Sequence, residues 1–314
     1  MKAAVITTPG TEPVYGDFAE PQESEQAQLM QVLAAGIHPV VRSLAGGRHY
    51  GSEGAYPLVP GVDAVARGAD GTARYAGFVR APWGTIAERI AAPIGVSLPE
   101  GADPVTIAGA LNPGMSSWLP LTRRCAEVGR LGTVLVVGAT GVAGRMAVQN
   151  ALLLGAERVI GVGRDTARLA EVQRLGGIAV PLSNDPGPLA SALAGTAPSI
   201  VLDYVWGPGA EMVWAALGRR GLGDDTADIR HVQIGAPAGM TAALPSSLLR
   251  SRRISVQGGG AGSTPIAEII AALPPYMSRL ASGQVRVPIR TYPLRDVARA
   301  WADRGPERVV IVPD

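Results

Sequence analysis

GTVLVVGATGVAGRMAVQNALLLGAERVIGVGR, from Gly132 to Arg164, decides the fold. TVLVV is an unbroken apolar run of strand length, the type buried on both faces of a parallel sheet. RMAVQNALLLGA is a helix-length amphipathic segment, and ERVIGVGR is a second apolar strand. Between the first strand and the helix stand Gly138, Gly141 and Gly144 at three-residue spacing. Glycine suits this position for three reasons. The chain must turn sharply out of the strand, the backbone must approach a pyrophosphate, and the helix must pack tightly on the sheet. The helix N-terminus adds free N–H groups and a positive dipole end. Thr140, Val142 and Ala143 complete the candidate phosphate-binding turn.

The end of the second strand selects the dinucleotide. An NAD site places an acidic residue there for the ribose 2′-hydroxyl. This chain reads Gly163-Arg164-Asp165, with Arg168 one helical turn on. Arg164 and Arg168 suit a 2′-phosphate, which favours NADPH. Two other readings stay open: both arginines are solvated residues at a helix start with Asp165 as N-cap, or Asp165 itself reads the ribose.

Outward from this unit, TARLAEVQRLGG reads as a helix, and PSIVLDYVWG and IRHVQIGAP read as strands, with RISVQGGG following them. Strands alternating with helices mean βαβ units, hence an α/β fold with a doubly wound parallel sheet. Met1 to about Leu111 reads instead as short strands between turns, among them KAAVI, LMQVLAAGI and TIAERIAAP. PIAEIIAALPPYMSRLASG reads as a long helix broken at Pro274-Pro275. LRDVARAWADRG is a small helix and RVVIVP a closing strand. The resulting domains are 1–115 with 261–314, carrying the substrate, and 116–260, carrying the dinucleotide.

Composition narrows the function further. With 47% hydrophobic and 17% charged residues, the 314-residue chain falls in the globular class. A net charge of +2 with interspersed signs lacks the basic stripe of a nucleic-acid binder. Lys2 is the only lysine, which leaves no Schiff-base chemistry to the chain, and Cys125 is the only cysteine, which leaves no disulfide framework. Neither a secretory leader nor a membrane-length apolar run is visible, so the expected location is the cytoplasm.

The landmarks AAGIHPVVRSLAGGRHY, YPLVPGVDAVARG, ALNPGMSSW, VLVVGATGVAG, VLDYVWG, PLRDVARAW and ERVVIVP occur in an order and spacing that span nearly the whole chain. The chain thereby resembles the zinc-free quinone oxidoreductase and enoyl reductase branch of the medium-chain dehydrogenase/reductase superfamily. The resemblance implies a chaperonin-10-like β-barrel as the substrate domain and a homodimer. It also implies reduction of a small conjugated acceptor, a quinone or an α,β-unsaturated carbonyl. The zinc-dependent branch has a ligand cysteine where this chain has His38, Gly-His-Glu where it has Gly61-Val62-Asp63, and a third ligand near Asn112. A catalytic zinc needs three protein ligands, so no metal is expected.

His38 and Pro39 stand where related quinone reductases have Asn-Pro. His38 is a candidate proton or hydrogen-bond donor, or else a structural histidine. Tyr50 lies one residue from the enoyl reductases' catalytic tyrosine, with His49 competing for the place. Asn112 is a candidate for orienting substrate, or a loop cap before Pro113. Gly235 and Gly258 stand where the family's backbone lines the nicotinamide, and Tyr204 borders the adenine or ribose. Trp83, Trp206 and Met115 line the pocket or fill the core. Arg250, Arg252 and Arg253 read as a solvated helix end. Two alternative functions remain: a ketone or imine reductase of a specialised biosynthetic pathway, and an NADPH-binding sensor or structural protein with little turnover.

Overall fold

Short strands bounded by turns open the chain: β1 (Lys2–Val5), β2 (Val14–Asp17), β3 (Gln28–Gly36), then helix α1 (Pro39–Ala45). β4 (Asp63–Arg67), β5 (Ala73–Gly77), β6 (Arg89–Ala92) and β7 (Ile94–Ser97) follow, ending at helix α2 (Pro104–Val128). Next come β8 (Thr133–Val137), α3 (Val142–Leu153), β9 (Arg158–Gly163), α4 (Thr166–Arg174) and β10 (Ile178–Pro181). α5 (Gly187–Leu193), β11 (Ile200–Asp203), α6 (Pro208–Leu217), β12 (Ile229–Gln233), α7 (Ser246–Ser251) and β13 (Ile254–Gly258) continue the alternation. The chain closes with α8 (Ile266–Ala281), β14 (Ile289–Pro293), α9 (Val297–Ala302) and β15 (Arg308–Val312). This computed structural model describes residues 1–314, the side chain of Ile94 excepted.

Two compact units result, Met1–Pro113 with Ile270–Asp314, and Gly114–Ile269. Both limits fall inside helices, α2 and α8, rather than in linkers. The sequence reading places them at 115/116 and 260/261 instead. Continuous helix runs across both limits of the compact units, so no break in composition marks them.

In the unit Gly114–Ile269 six parallel strands run in the order β10-β9-β8-β11-β12-β13. This is a doubly wound sheet, and the strand order reverses between β8 and β11. All five residues of β8 are buried, as a strand covered on both faces requires. Two apolar cores flank the sheet, one around Leu135, Ile160 and Trp214, the other around Val134, Val136 and Val148. The other unit carries a sheet ordered β14-β15-β3-β4-β5-β7, with β6 also paired to β3, and a separate β1-β2 pair. All of its pairings are antiparallel except β14 with β15.

Two expectations are corrected. Asn112 is not a loop cap before Pro113, because both lie inside α2, which spans 25 residues. Asp103 starts that helix by accepting from the Thr106 N–H at 2.9 Å, and Pro104 occupies its first turn. The interior prolines Pro113 and Pro120 hide the helix from a propensity reading, but Ile107, Ala108, Leu111, Met115, Trp118 and Leu121 are buried along it. Nor does Pro274-Pro275 break α8. Leu273, Tyr276, Met277 and Leu280 bury one continuous helical face there, which offsets the two missing N–H donors. No helix of the described residues is long and apolar enough to cross a membrane.

One buried arginine ties α2 to the parallel sheet. Arg124, 3% exposed, donates to the carbonyls of Ser199 and Asp228 at 3.2 and 2.6 Å. It also pairs with the carboxylates of Glu127 and Asp228 at 2.9 and 2.8 Å. Arg124→Met should cost about 2 kcal/mol, because two carbonyls lose their donor in a site the methionine stem leaves dry. The Arg124 hydrogen bond holds the Asp228 carboxyl below its usual range. That contribution is present above the ordinary carboxylate range and lost as pH falls through the lowered value. Thermal melts should therefore show a larger deficit for the variant at pH 7 than at pH 3. A deficit that does not change with pH would remove Asp228 from the account.

Candidate active site

At the C-terminal end of β8, Gly138 takes φ +90°, a conformation that side chains rarely adopt. Its N–H and that of Ala139 donate to the Val162 carbonyl, which carries the turn across to β9. Gly144, one turn into α3, packs against this loop so closely that a Cβ would lie 2.2 Å from the Gly138 carbonyl oxygen. Gly141 is the N-cap of α3, and no side chain caps the helix. The first-turn N–H groups, including those of Val142 and Ala143, are thus left for an anion. The cradle fits a dinucleotide pyrophosphate: a positive-φ turn, a glycine contact that sets the helix on the strand, and an uncapped helix start.

Gly163 ends β9 beneath Thr140, whose Cγ2 would lie 2.4 Å from an added Cβ. Arg164 beyond it is exposed and makes no hydrogen bond or ion pair among the described residues. Asp165 is the N-cap of α4, accepting from the Arg168 N–H at 3.1 Å, and its other oxygen pairs with Arg168 Nε at 3.1 Å. Of the two candidate phosphate arginines, Arg168 is therefore tied to Asp165 and Arg164 is unengaged. Tyr204 follows β11, with its hydroxyl 3.0 Å from Ser116 Oγ, and burial pushes the phenol up to about 12. Gly235 lies so close to Tyr204 that a Cβ would come within 2.8 Å of its carbonyl oxygen. Gly258 closes β13 opposite Gln233.

In the antiparallel unit, α1 begins at His38, with Pro39 in its first turn. His38 is 2% exposed and its ring lies over Gly36, where a Cβ would come within 2.5 Å of Cε1. Its Nε2 is 3.1 Å from Oδ1 of Asp63, itself 3% exposed. Asn112 donates through Nδ2 to the other Asp63 oxygen at 2.6 Å, and Thr85 Oγ1 donates to the Asp63 carbonyl at 2.8 Å. Burial, then the Asp63 charge and its hydrogen bond, push the Tyr75 phenol well above its usual range. An ionised carboxylate only accepts, so the His38 ring proton sits on Nε2. Nδ1 remains, buried and without a hydrogen-bond partner.

No protein-family profile matches the sequence. A probable NADPH-dependent quinone reductase of Emericella nidulans is 31% identical, with both chains covered in full. The chain belongs to the quinone reductases of the medium-chain dehydrogenase/reductase superfamily. A quinone oxidoreductase from Thermus thermophilus, also solved with NADPH, is 27% identical with TM-score 0.75, covering 99% of this chain and all of the other. A mycobacterial quinone oxidoreductase at 21% identity shares the fold, with TM-score 0.81 and full coverage of both chains.

Within this medium-chain reductase, His38 and Asn112 are brought together through Asp63. Tyr50 stands apart from them: it is 82% exposed, and its ring is 4.1 Å from that of His49. Burial lowers the His49 pKa, and its Nδ1 accepts from the Gly51 N–H. Trp83 donates to the Ala19 carbonyl, whereas Met115 is buried. Arg252 is not a solvated helix end, since it pairs with Asp225 at 3.4 Å and is largely covered.

Sequence reasoning passes over Asp63 and Tyr75 as site residues. The signal for Asp63 is present: a carboxylate opening the strand DAVAR, directly before the apolar Ala64, Val65 and Ala66, must find donors if it is buried. The buried group of Asp203, His231 and Trp214 is missed as well.

Proposed function

We propose that this reductase uses NADPH to reduce a quinone or another α,β-unsaturated carbonyl without zinc, with His38 as the proton-exchanging side chain. The observation that carries the reading is the His38–Asp63–Asn112 cluster. Instead of converging on a cation, His38 Nε2 and Asn112 Nδ2 both turn toward the Asp63 carboxylate. That is a donor set for a fixed imidazole rather than for a metal. Asp63 fixes the ring's orientation and keeps the proton on Nε2, so exchange is confined to Nδ1. That nitrogen takes up a proton from water to give an imidazolium stabilised by Asp63, and then gives that proton to the acceptor oxygen.

The bound reduced nicotinamide supplies hydride. The chain's task is then to hold and protonate the oxygen of a conjugated acceptor. Charge on that oxygen is spread over the conjugated system, so hydrogen bonding can replace a Lewis acid. A homodimer in the cytoplasm acting on a small molecule belongs to the same reading, on family resemblance. The test is NADPH oxidation with quinones, enones, ketones and imines, with and without chelator. Chelator-resistant turnover with quinones or enones supports the proposal. Turnover confined to ketones or imines, or loss of activity with chelator, overturns it. NADPH binding without any turnover would favour the sensor reading.

In this reading Arg164 holds the 2′-phosphate, which the engagement of Arg168 by Asp165 supports. A charge-assisted contact contributes about 1.5–3 kcal/mol, so Arg164→Ala should weaken NADPH binding about ten- to hundredfold. NADH binding should stay unchanged. Calorimetry with both dinucleotides checks this, and equal losses for the two would reassign Arg164.

A further inference from the structure

The parallel unit contains a buried polar chain that lies outside the glycine turn itself. Asp203, the last residue of β11, is fully buried. Its Oδ1 accepts from the N–H groups of Val205 and Trp206 at 2.8 and 2.9 Å. Its Oδ2 lies 3.1 Å from Nε2 of His231, on the neighbouring strand β12 and also fully buried. His231 Nδ1 in turn accepts from the indole N–H of Trp214, on α6, at 3.2 Å. The network assigns every proton: the indole occupies the Nδ1 lone pair, so the ring donates from Nε2 to the carboxylate.

The segment gripped by this chain is strained. Trp206 has φ +59° and Gly207 φ +52°, ψ −138°. A non-glycine residue in that region is strained and persists only where its surroundings over-determine it. Here the surroundings are the two amide bonds to Asp203, the edge-on contact of Trp206 with Trp214 at 5.4 Å, and the Ala238 N–H on the Val205 carbonyl. The same turn sets Tyr204 and Val205 against the glycine loop. A Cβ on Gly138 would lie 2.9 Å from Val205 Cγ2 and 3.2 Å from Tyr204 Cβ. β8 and β11 are neighbours at the point where the strand order reverses, where open α/β sheets bind their ligands.

We propose that Asp203, His231 and Trp214 are positioning residues that hold the strained Tyr204–Gly207 turn as one wall of the dinucleotide crevice, and so set NADPH affinity without touching the cofactor. The proposal rests on the NADPH reading above. Removing the imidazole leaves the carboxylate one donor short and the indole N–H without an acceptor. The turn is then free to relax away from Gly138.

The test uses the full chain with His231→Ala, His231→Gln and Trp214→Phe. Glutamine can offer an amide N–H to Asp203 and an oxygen to Trp214, so it serves as the conservative rescue. His231→Ala should raise both Kd and KM for NADPH about tenfold, equivalent to about 1.4 kcal/mol, with kcat at saturation within about twofold of wild type. Amide hydrogen exchange at Val205 and Trp206 should accelerate while the β8 amides keep their protection. His231→Gln should restore most of both. A folded His231→Ala with wild-type KM and exchange overturns the proposal, as does a glutamine variant no better than alanine. If His231→Ala does not fold, Trp214→Phe decides: faster exchange and weaker NADPH binding support the proposal, and wild-type values overturn it. A wild-type chain that binds no NADPH overturns the cofactor reading and with it the role of the wall. The exchange pattern still reports separately whether the network holds the turn.

Discussion

Gly144→Ala is expected to cost this reductase both its cofactor binding and part of its folding stability, whereas Gly141→Ala should cost the binding alone. The difference lies in what each new methyl group meets. At Gly144 it would lie 2.2 Å from the Gly138 carbonyl oxygen and 2.7 Å from the Ala139 Cα. Both are backbone atoms, so no side chain can swing aside. α3 would have to lift off a sheet against which it buries Met146, Ala147, Val148 and Ala151. Overpacking of this kind costs about 1–3 kcal/mol, and it displaces the N–H groups that face the phosphates. At Gly141 the nearest atom is the Gly138 oxygen at 3.5 Å, and φ −78°, ψ 166° suits any residue. Alanine there fits the empty chain and obstructs only a pyrophosphate approaching the helix start. Melting curves should separate the two variants, and calorimetry with NADPH should find both defective. A Gly144→Ala protein that melts and binds as wild type would show that the helix packs on the strand differently. Wild-type affinity in Gly141→Ala would move the phosphates away from this turn.

The glycine turn is also where the molecule was most legible in its sequence. The strand, the glycine spacing and the second strand are local patterns with one physical purpose, and β8, α3 and β9 lie where those patterns put them. α2 was illegible because its two interior prolines and two glycines argue against a helix locally, and only tertiary burial of its apolar face overrides that. Side-chain clusters are illegible for another reason. His38, Asp63 and Asn112 are distant in sequence and meet only through the pairing of β3 with β4 and the packing of α2. His231 and Trp214 meet in the same way, through α6 and β12. A single sequence carries no record of such meetings, although a buried aspartate ending one strand and another opening a second are each a demand for donors.

The second large effect is expected at Asp63. Its carboxylate presents two oxygens to two donors, Nε2 of His38 and Nδ2 of Asn112, and the Tyr75 phenol adds to their demand. Asp63→Asn keeps the shape but leaves one accepting oxygen, and the new amide N–H group faces a donor. If it turns toward His38, the imidazole must shift its proton from Nε2 to Nδ1 and become an acceptor at the wrong nitrogen. If it turns toward Asn112, that amide loses its partner. Either way a buried polar group is left unsatisfied at a cost of about 1–3 kcal/mol. Quinone reduction should fall about a hundred- to ten-thousandfold, the range for losing a positioned proton-transfer group. His38→Asn separates positioning from proton exchange. Asparagine can still donate to the Asp63 carboxylate and is the residue of related quinone reductases at this place, so stability should stay near wild type. Turnover should still fall, because no exchangeable ring nitrogen remains. The double variant should be no worse than Asp63→Asn alone, since the two residues act as one unit. Steady-state NADPH oxidation with a simple benzoquinone reads all three. Full turnover in His38→Asn would show that the imidazole only fills the site and that the proton comes from elsewhere. Additive losses in the double variant would show that Asp63 acts independently of His38.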